Sequence, residues 1–265
     1  MNIEIKDLHF TYPTGLTALR GISLTIAAGE QVGIVGQNGA GKTTLVKHLN
    51  GLLQPTRGQV FIGDWDTSKY PVAKLASRVG YVFQNPDEQL FSKDVGAEVS
   101  FGPRNLGFEG DKVEALVKDA LALTELSDKT DTNPYDLSAP WRKIVAIASV
   151  LSMDTGIVVF DEPTTGQDAA TVARIANVIA ELRRRGKTVI TITHDIDFCA
   201  ENFERVIAMS QGQVLLDGAA NEVLGQEETL ATTYVEPPQL TRLAKRLGFG
   251  RTVRNQEEFL AELNR

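Results

Sequence analysis

The amino-acid sequence predicts an α/β fold built on a mainly parallel sheet that helices wrap. Three observations support this prediction: N-terminal residues alternate apolar and polar side chains, a helical block occupies the middle, and the second half alternates short apolar runs with helical patterns. Period-two alternation is typical of antiparallel strands, and short apolar runs between helices are typical of buried parallel strands. We therefore expect an N-terminal antiparallel β subdomain, a parallel core and a helical subdomain over about residues 86–150.

Strands in the N-terminal half follow from this alternation and from short apolar runs. They are predicted at residues 3–10, 22–26, 31–35, 60–62 and 78–83. A helix is expected over residues 41–53, because Gln54 and Pro55 would end it. From Asp111 onward apolar residues recur with helical spacing, and Glu114 three residues later makes a capping pair with Asp111.

The C-terminal half alternates predicted strands and helices. The strands lie at residues 157–160, 188–193, 206–208 and 214–216, and a helix lies at residues 169–185. Residues 1–217 are expected to form one domain, and residues 218–265 a short C-terminal helical extension. Asn255 with Glu258 would cap the last helix of that extension.

Composition excludes several classes of protein. The chain has 265 residues, is 42% hydrophobic and carries a net charge of 27 − 34 = −7. A disordered chain is excluded at this hydrophobicity, and the acidic balance argues against a protein that coats nucleic acid. A single cysteine, Cys199, excludes an internal disulfide and fits a reducing compartment. No apolar run approaches the roughly 18 residues of a membrane span, so we expect the chain not to cross a membrane.

The clearest motif fits G-x-x-x-x-G-K-[ST] at every fixed position. Its residues are Gly36, Gln37, Asn38, Gly39, Ala40, Gly41, Lys42 and Thr43, with Thr44 following. The motif lies between a predicted strand and a predicted helix, where its glycines let successive N–H groups point at phosphate oxygens. Lys42 would supply a cation to the β- and γ-phosphates, and Thr43 a hydroxyl ligand for Mg²⁺. The pattern predicts a P-loop NTPase core; the alternative is a chance glycine-rich turn.

Two carboxylates follow the buried apolar strand at residues 157–160. Asp161 ends that strand, which places it at the mouth of the sheet beside the phosphate loop. We expect Asp161 to hold Mg²⁺ through water and the adjacent Glu162 to orient or deprotonate the attacking water. The alternative for such a pair is a solvated loop.

These motifs, in this order, resemble the nucleotide-binding subunits of ABC transporters over residues 3–217. The resemblance implies that Gln84 lies in a loop that contacts Mg²⁺ and the membrane partner, and that His194 touches the γ-phosphate. It also implies that Asp168 lies at a dimer interface and that Tyr12 stacks on adenine. Taken singly, a histidine after a strand is more often structural, and Tyr12 is equally a packing residue.

A narrower resemblance concerns the stretches at residues 84–91 and 98–103. They are similar to the ATPases of energy-coupling factor transporters, which import vitamins or transition-metal ions such as cobalt and nickel. In that group a second glutamine, matching Gln89, lies beside the groove for the transmembrane scaffold. We therefore expect Gln89, Leu90 and Phe91 to contact that scaffold. Residues 234–240 also resemble that group's tail, and a turn with a short surface helix is the alternative for residues 84–91.

The family's signature, Leu-Ser-Gly-Gly-Gln, is altered here. The matching residues are Leu137, Ser138, Ala139, Pro140 and Trp141. In the family this serine and the following N–H groups bind the γ-phosphate held by the opposite subunit. Proline has no N–H to donate, although it fits the first turn of a helix. We expect the helix to form and phosphate recognition to weaken; the alternative is a tolerated variant.

The resemblance implies an ATP-hydrolysing subunit of an energy-coupling factor importer, with ATP and Mg²⁺ bound, on the cytoplasmic face of the cell membrane. The altered signature favours an asymmetric heterodimer with a second ATPase whose signature is intact. Further expected partners are a transmembrane scaffold and a membrane substrate-binding subunit, but no nucleic acid. The alternatives are a soluble ABC ATPase outside transport and a regulatory subunit without significant hydrolysis; the presence of Glu162 and His194 argues against the latter.

Overall fold

The computed structural model describes residues 1–233 and 235–264 of the chain. The strands in chain order are β1 (Ile3–Thr11), β2 (Thr17–Ile26), β3 (Gln31–Val35), β4 (Arg57–Ile62), β5 (Trp65–Asp66), β6 (Val79–Val82), β7 (Ile157–Asp161), β8 (Thr188–Ile192), β9 (Arg205–Ser210) and β10 (Gln213–Ala219). The helices are α1 (Lys42–Lys47), α2 (Val72–Leu75), α3 (Val95–Asn105), α4 (Asp111–Leu123), α5 (Ala139–Leu151), α6 (Ala169–Arg184), α7 (Ile196–Asn202), α8 (Ala220–Leu224), α9 (Glu227–Ala231), α10 (Gln239–Arg246) and α11 (Gln256–Leu263). Tyr234 and Arg265, which belong to the predicted extension, lie outside the described residues.

The strands form two sheets. The N-terminal strands pair in antiparallel order β2-β1-β4-β5, and the other sheet has the order β10-β9-β3-β8-β7-β6. In the second sheet neighbours from β9 to β6 run parallel, and only the β9–β10 pairing described there is antiparallel. The predicted α/β fold, with its N-terminal antiparallel β subdomain and mainly parallel core, is confirmed.

Two apolar clusters cover the two faces of the parallel sheet. Ile157 and Val159 of β7 face the cluster shared with the antiparallel sheet, whereas Val158 and Phe160 face the cluster formed with α5 and α6. Successive side chains of a strand point to opposite faces, so a strand covered on both sides has to be apolar throughout. This burial explains why β7 reads as a continuous apolar run until Asp161.

The strand order brings several chain segments to one edge of the sheet. β3 leads into the phosphate loop, β7 ends at Asp161, β8 ends two residues before His194, and β6 ends two residues before Gln84. Because β6, β7, β8 and β3 are parallel neighbours, their carboxyl ends lie side by side. The fold therefore positions the predicted site at this edge.

Two local predictions are wrong, and one boundary falls inside an element. The helix predicted to Leu53 ends as α1 at Lys47, because the N–H of His48 turns back to Leu45 O (3.2 Å), three residues earlier; Gly51 then takes a φ of +75°. Helix α4 is capped by the backbone of Gly110, with no side-chain cap, since its first helical residue is already Asp111. The predicted boundary at residue 217 lies within β10, which runs to Ala219.

The C-terminal region is helical from α8 to α11, and the predicted cap of its last helix is confirmed: Asn255 accepts a hydrogen bond from Glu258 N at 2.9 Å. Across residues 1–233 and 235–264, no helix combines the length and the apolar character that a membrane crossing requires.

Candidate nucleotide site

The phosphate loop leaves no room for side chains at two of its glycines. A Cβ on Gly36 would lie 2.2 Å from Met209 O, and a Cβ on Gly41 would lie 2.7 Å from Ala18 O. Both residues also have positive φ, of 148° and 100°, which favours glycine. The two fixed glycines of the motif are therefore required by the close approach of backbone from β9 and β2.

A cavity of about 260 Å³ opens in front of the loop. It is lined by Asn38, Gly39, Ala40, Gly41, Lys42, Thr43, Thr44, Gln84, Glu162, Thr165 and His194. These residues come from the ends of parallel strands and the segments that follow them, as the sequence predicts. Gly36 lines an adjacent cavity of about 270 Å³ with His194, and Asp161 is buried behind the loop.

Lys42 lies over the loop with only 6% of the residue exposed. Its Nζ donates hydrogen bonds to Gly36 O (2.7 Å) and Gln37 O (3.2 Å) and lies 3.8 Å from Glu162 Oε1. Burial lowers the pKa of Lys42, and the neighbouring Glu162 and Asp161 carboxylates oppose that shift. An ammonium held by neutral carbonyls at the cavity wall is suited to exchange them for phosphate oxygens.

Asp161 is held by two hydroxyl groups. Thr43 Oγ1 donates to Asp161 Oδ1 at 3.1 Å, and Tyr81 OH donates to Oδ2 at 2.6 Å. Burial and the Asp161 charge raise the pKa of Tyr81, so this phenol stays protonated and donates. Oxygen ligands suit Mg²⁺, and the Thr43 hydroxyl, the Asp161 carboxylate and the neighbouring Gln84 provide a set that fits this ion.

Glu162 has an unusual backbone for a glutamate. Its φ is +47°, in the left-handed region, and its N–H donates to Ile192 O at 2.9 Å. Glu162 Oε2 accepts from His194 N (3.2 Å) and lies 2.8 Å from His194 Nδ1. Such backbone strain persists only when the surroundings impose it, and it is common at functional sites. The result is a carboxylate aimed into the cavity and joined to the predicted histidine.

Two residues with predicted roles at the nucleotide site, Tyr12 and Asp168, do not line the cavity. Tyr12 OH is 2.9 Å from Thr44 Oγ1, and the Tyr12 ring packs edge-to-face on Phe10 at 4.8 Å. Asp168 caps α6 by accepting a hydrogen bond from Thr171 N at 2.7 Å, and this bond lowers the pKa of the carboxyl. Both therefore have structural partners within this chain, and their predicted roles toward adenine and at a dimer interface stay predictions.

The altered signature begins α5, as expected for a proline in the first helical turn. Ser138 is the N-cap residue but makes no side-chain capping bond, and it is exposed. Two cations lie over the Trp141 ring, with Lys129 Nζ at 4.8 Å and Arg174 Cζ at 4.6 Å from its centroid. Ser138 is not among the residues that line this chain's own nucleotide cavity.

The predicted membrane-partner segment is only partly exposed. The prediction for Leu90 is wrong, because this residue is only 3% exposed and packs in the apolar cluster formed with α5 and α6. Gln89 is engaged inside the chain: its Oε1 accepts from Phe83 N (3.1 Å), and its Nε2 donates to α5. Phe91 is 61% exposed and packs edge-to-face on the exposed ring of Phe101 at 4.7 Å. Of the three, Phe91 alone has a largely exposed side chain.

The sequence did not point to two residues that support the site, Tyr81 and Lys143. Tyr81 occupies an apolar position of β6, so the strand pattern counts it as core. Lys143 is fully buried, and its Nζ donates to the carbonyls of Phe83 (2.9 Å) and Gln84 (2.6 Å). Burial lowers the pKa of Lys143 to about 8. The sequence carried one sign of this role: Lys143 directly precedes the apolar run of α5, where a charged residue needs a partner.

Comparison with known proteins gives consistent matches. The family model for ABC transporters matches residues 19–165. A curated relative from Methanothermobacter thermautotrophicus, named energy-coupling factor transporter ATP-binding protein EcfA, is 41% identical over 247 residues, which are 92% of this chain and 79% of the relative.

Two solved structures are similar over most of the chain. One is cbiO1 from Clostridium perfringens, described as part of the ABC transporter complex cbiONQ; it matches with a TM-score of 0.78 and 34% identity, covering 93% of this chain and 98% of that one. The other is the ATP-binding cassette MJ0796, solved as a dimer in a post-hydrolysis state bound to ADP and Pi. It matches with a TM-score of 0.74 and 27% identity over 82% of this chain and 98% of that one.

Proposed function

The chain belongs to the ABC transporter family and is an ATPase of that family, and on this premise we propose that it powers an energy-coupling factor type importer. The hydrolytic part of the proposal rests on the cluster of Lys42, Glu162 and His194 at one wall of the phosphate-loop cavity. The relative named EcfA and the cbiO1 structure support the importer class.

ATP with Mg²⁺ would occupy the cavity in front of the phosphate loop. Lys42 would exchange its bonds to Gly36 and Gln37 carbonyls for β- and γ-phosphate oxygens. Thr43, Asp161 and Gln84 would hold Mg²⁺, which when bound neutralises phosphate charge. The remaining loop residues would donate backbone N–H groups to the triphosphate, and Tyr12 would stack on adenine once its hydroxyl leaves Thr44.

Hydrolysis needs a base beside the γ-phosphate. We expect Glu162 to take a proton from the attacking water, because its carboxylate faces the cavity next to Lys42. His194 holds Glu162 Oε2 and would contact the γ-phosphate from the other side. The proton moves to Glu162, the water oxygen bonds to phosphorus, and the bond to the ADP oxygen breaks.

The signature faces a different nucleotide from the one this chain holds. Ser138 is exposed at the start of α5 and lies outside this chain's own cavity. We propose that it contacts ATP on a second ATPase subunit, with Asp168 at the interface between them. Pro140 removes one N–H donor there, so the site built on the partner's phosphate loop would be the weaker one. A partner with an intact signature would complete the site on this chain.

A membrane partner has a surface on which to dock. Phe91 and Phe101 lie at the rim of a cavity of about 230 Å³ that also includes Gln89, Leu52 and Val72. Exposed aromatic pairs beside an apolar cavity are typical of protein–protein contacts. We propose that a transmembrane scaffold docks here, which would hold the chain on the cytoplasmic face of the cell membrane. A membrane substrate-binding subunit would complete the importer.

Co-purification from membranes tests this assembly. The tagged full chain should bring down a second ATPase, a transmembrane scaffold and a membrane substrate-binding subunit, identified by mass spectrometry. Recovery of the chain with soluble proteins alone would overturn the importer proposal. Phe91→Ala should reduce recovery of the scaffold, because burying a phenylalanine contributes about 1.5–3 kcal/mol, and should leave ATP affinity unchanged. The matched control is Leu16→Ala, another exposed apolar residue, which should alter neither.

A further inference from the structure

Lys143 is a fully buried cation in the first half of α5. Burial of an ammonium group is costly unless hydrogen bonds compensate for lost water. Here two carbonyls do so, Phe83 O at 2.9 Å and Gln84 O at 2.6 Å, both where β6 passes into the loop that carries Gln84. An apolar residue would occupy this buried helical position without that cost, so the two hydrogen bonds are what offsets the burial of the lysine.

The same loop, residues 83–89, contacts α5 through two further side-chain interactions. Gln89 Oε1 accepts from Phe83 N at 3.1 Å, and Gln89 Nε2 donates to Ala146 O at 2.7 Å. Arg142, next to Lys143, forms an ion pair with Asp87 at 3.1 Å. These three attachments, made by Lys143, Gln89 and Arg142, span residues 83–89 and all end on α5.

The loop at residues 83–89 borders the nucleotide site of this chain, whereas α5 begins with the altered signature, which is proposed to contact a second subunit. Gln84 lines the nucleotide cavity, and Ser138 to Trp141 form the start of α5. Lys143 lies one turn after this start, so its two hydrogen bonds join the backbone of Gln84 to the helix that bears the signature. The carboxylates of Asp161 and Glu162 are also close enough to favour the charged form of Lys143.

We propose that Lys143 is a positioning residue that fixes the Gln84 backbone to α5, so that the Gln84 side chain reaches Mg²⁺ bound with ATP. Lys143 itself touches neither the nucleotide nor the metal. This inference rests on the proposed function, since Gln84 must first be a Mg²⁺ ligand.

Calorimetry of the full chain tests this role through binding instead of turnover. ATP affinity is measured with Mg²⁺ and again with EDTA, and the ratio of the two is the gain from Mg²⁺. Lys143→Met should reduce this gain about tenfold, because the loop loses its two charge-assisted bonds, and should leave ATP affinity in EDTA unchanged. Lys143→Arg keeps a cation and its donors and should retain most of the gain.

A matched control is Lys187→Met. Lys187 is also largely buried and binds the carbonyl and carboxylate of a single residue, Asp154, outside the nucleotide cavity. The Lys187→Met variant should leave the gain in ATP affinity from Mg²⁺ unchanged. An equal reduction in this variant would mean that general destabilisation, not loop positioning, causes the effect, and would overturn the proposal.

A double-mutant cycle keeps the test decisive if Lys143→Met folds poorly. Lys143→Gln keeps a neutral NH2 group as donor in place of the ammonium and can be combined with Gln84→Ala. If Lys143 acts through Gln84, the reduction of the Mg²⁺ gain by Lys143→Gln should vanish when Gln84 is already alanine. Reductions that add in the double variant, or an unchanged gain in every Lys143 variant, would overturn the inference alone. A wild-type chain without any gain from Mg²⁺ would overturn both the inference and the proposed metal site.

Discussion

The nucleotide cavity and the start of α5 are the two regions proposed to contact phosphate, and they differ in how far this chain alone completes them. In the cavity the predicted residues contact one another: Thr43 bonds Asp161, and His194 bonds Glu162. At the start of α5, Ser138 is exposed and makes no side-chain capping bond. A cluster whose members bond one another is held in place before any ligand arrives, whereas the exposed start of α5 is open to solvent and to a second molecule. This difference is what the proposed role of the second region, contact with a nucleotide on another subunit, requires.

Removing Lys42 should reduce nucleotide binding in the cavity the most. Lys42→Ala deletes the cation of the phosphate loop and leaves Glu162 buried without its neighbour at 3.8 Å. Because charge-assisted bonds to phosphate contribute roughly 1.5–3 kcal/mol each, we expect about a 100-fold loss of Mg-ATP affinity by calorimetry. Lys47→Ala, on the same helix but outside the cavity lining, should bind normally. Unchanged affinity in Lys42→Ala would refute the phosphate-loop assignment.

Tyr81→Phe should weaken the same region less. The variant removes the hydrogen bond of 2.6 Å to Asp161 and leaves the Thr43 bond in place. We expect the free energy of unfolding to fall by about 1.5–3 kcal/mol in denaturant titrations, because a buried carboxylate loses a donor. Mg-ATP affinity should fall by less than in Lys42→Ala. Tyr70→Phe, a tyrosine stacked on Trp65 at 4.5 Å, serves as the control and should change neither. An unaltered unfolding curve for Tyr81→Phe would show that Asp161 does not depend on this phenol.

Restoring the two signature glycines should improve phosphate contact at the start of α5 and so reduce the difference from the nucleotide cavity. Ala139→Gly with Pro140→Gly returns a backbone N–H and removes two side chains where phosphate should approach. In the assembled complex we expect a several-fold rise in turnover at the weaker site, which is smaller than the losses above because glycine costs helix stability. The measurement is ATPase activity of a complex whose other site is blocked by Glu162→Gln. No rise, with α5 still folded by circular dichroism, would mean that Pro140 is a tolerated variant.

Lys143, which joins the two regions, should make the stability of the folded chain depend on pH. Its pKa falls from 10.5 to about 8 on burial. Between pH 8 and 10.5 the unfolded chain keeps this proton and the folded chain has lost it, so the free energy of unfolding rises with pH there. Wild type should therefore gain stability relative to Lys143→Met from pH 8 to 10 in urea titrations with EDTA. A constant difference between the two would show that the pKa of Lys143 is not lowered.

The sequence predicted the parts of the site that depend on motif and strand order. The phosphate loop has fixed spacing, and Asp161 follows an apolar run that can only be a buried strand, so both were found. Tyr81 and Lys143 were missed, and Leu90 was wrongly expected to be exposed, because a hydropathy pattern reports how apolar a residue is and not which face packing will cover. The left-handed backbone of Glu162 depends on Ile192 from another strand. Such contacts between distant segments appear only in the folded chain.

The asymmetry of the two regions is tested most directly by turnover of two purified complexes, each with one glutamate changed. Glu162→Gln in this chain should remove most ATPase activity, about 100-fold or more, since it disables the site whose signature comes from the partner. The equivalent change in the partner should matter much less, because that site already faces the altered Ser138 to Trp141 segment. Equal losses in the two complexes, or full activity in a complex that contains this ATPase alone, would contradict the asymmetric arrangement.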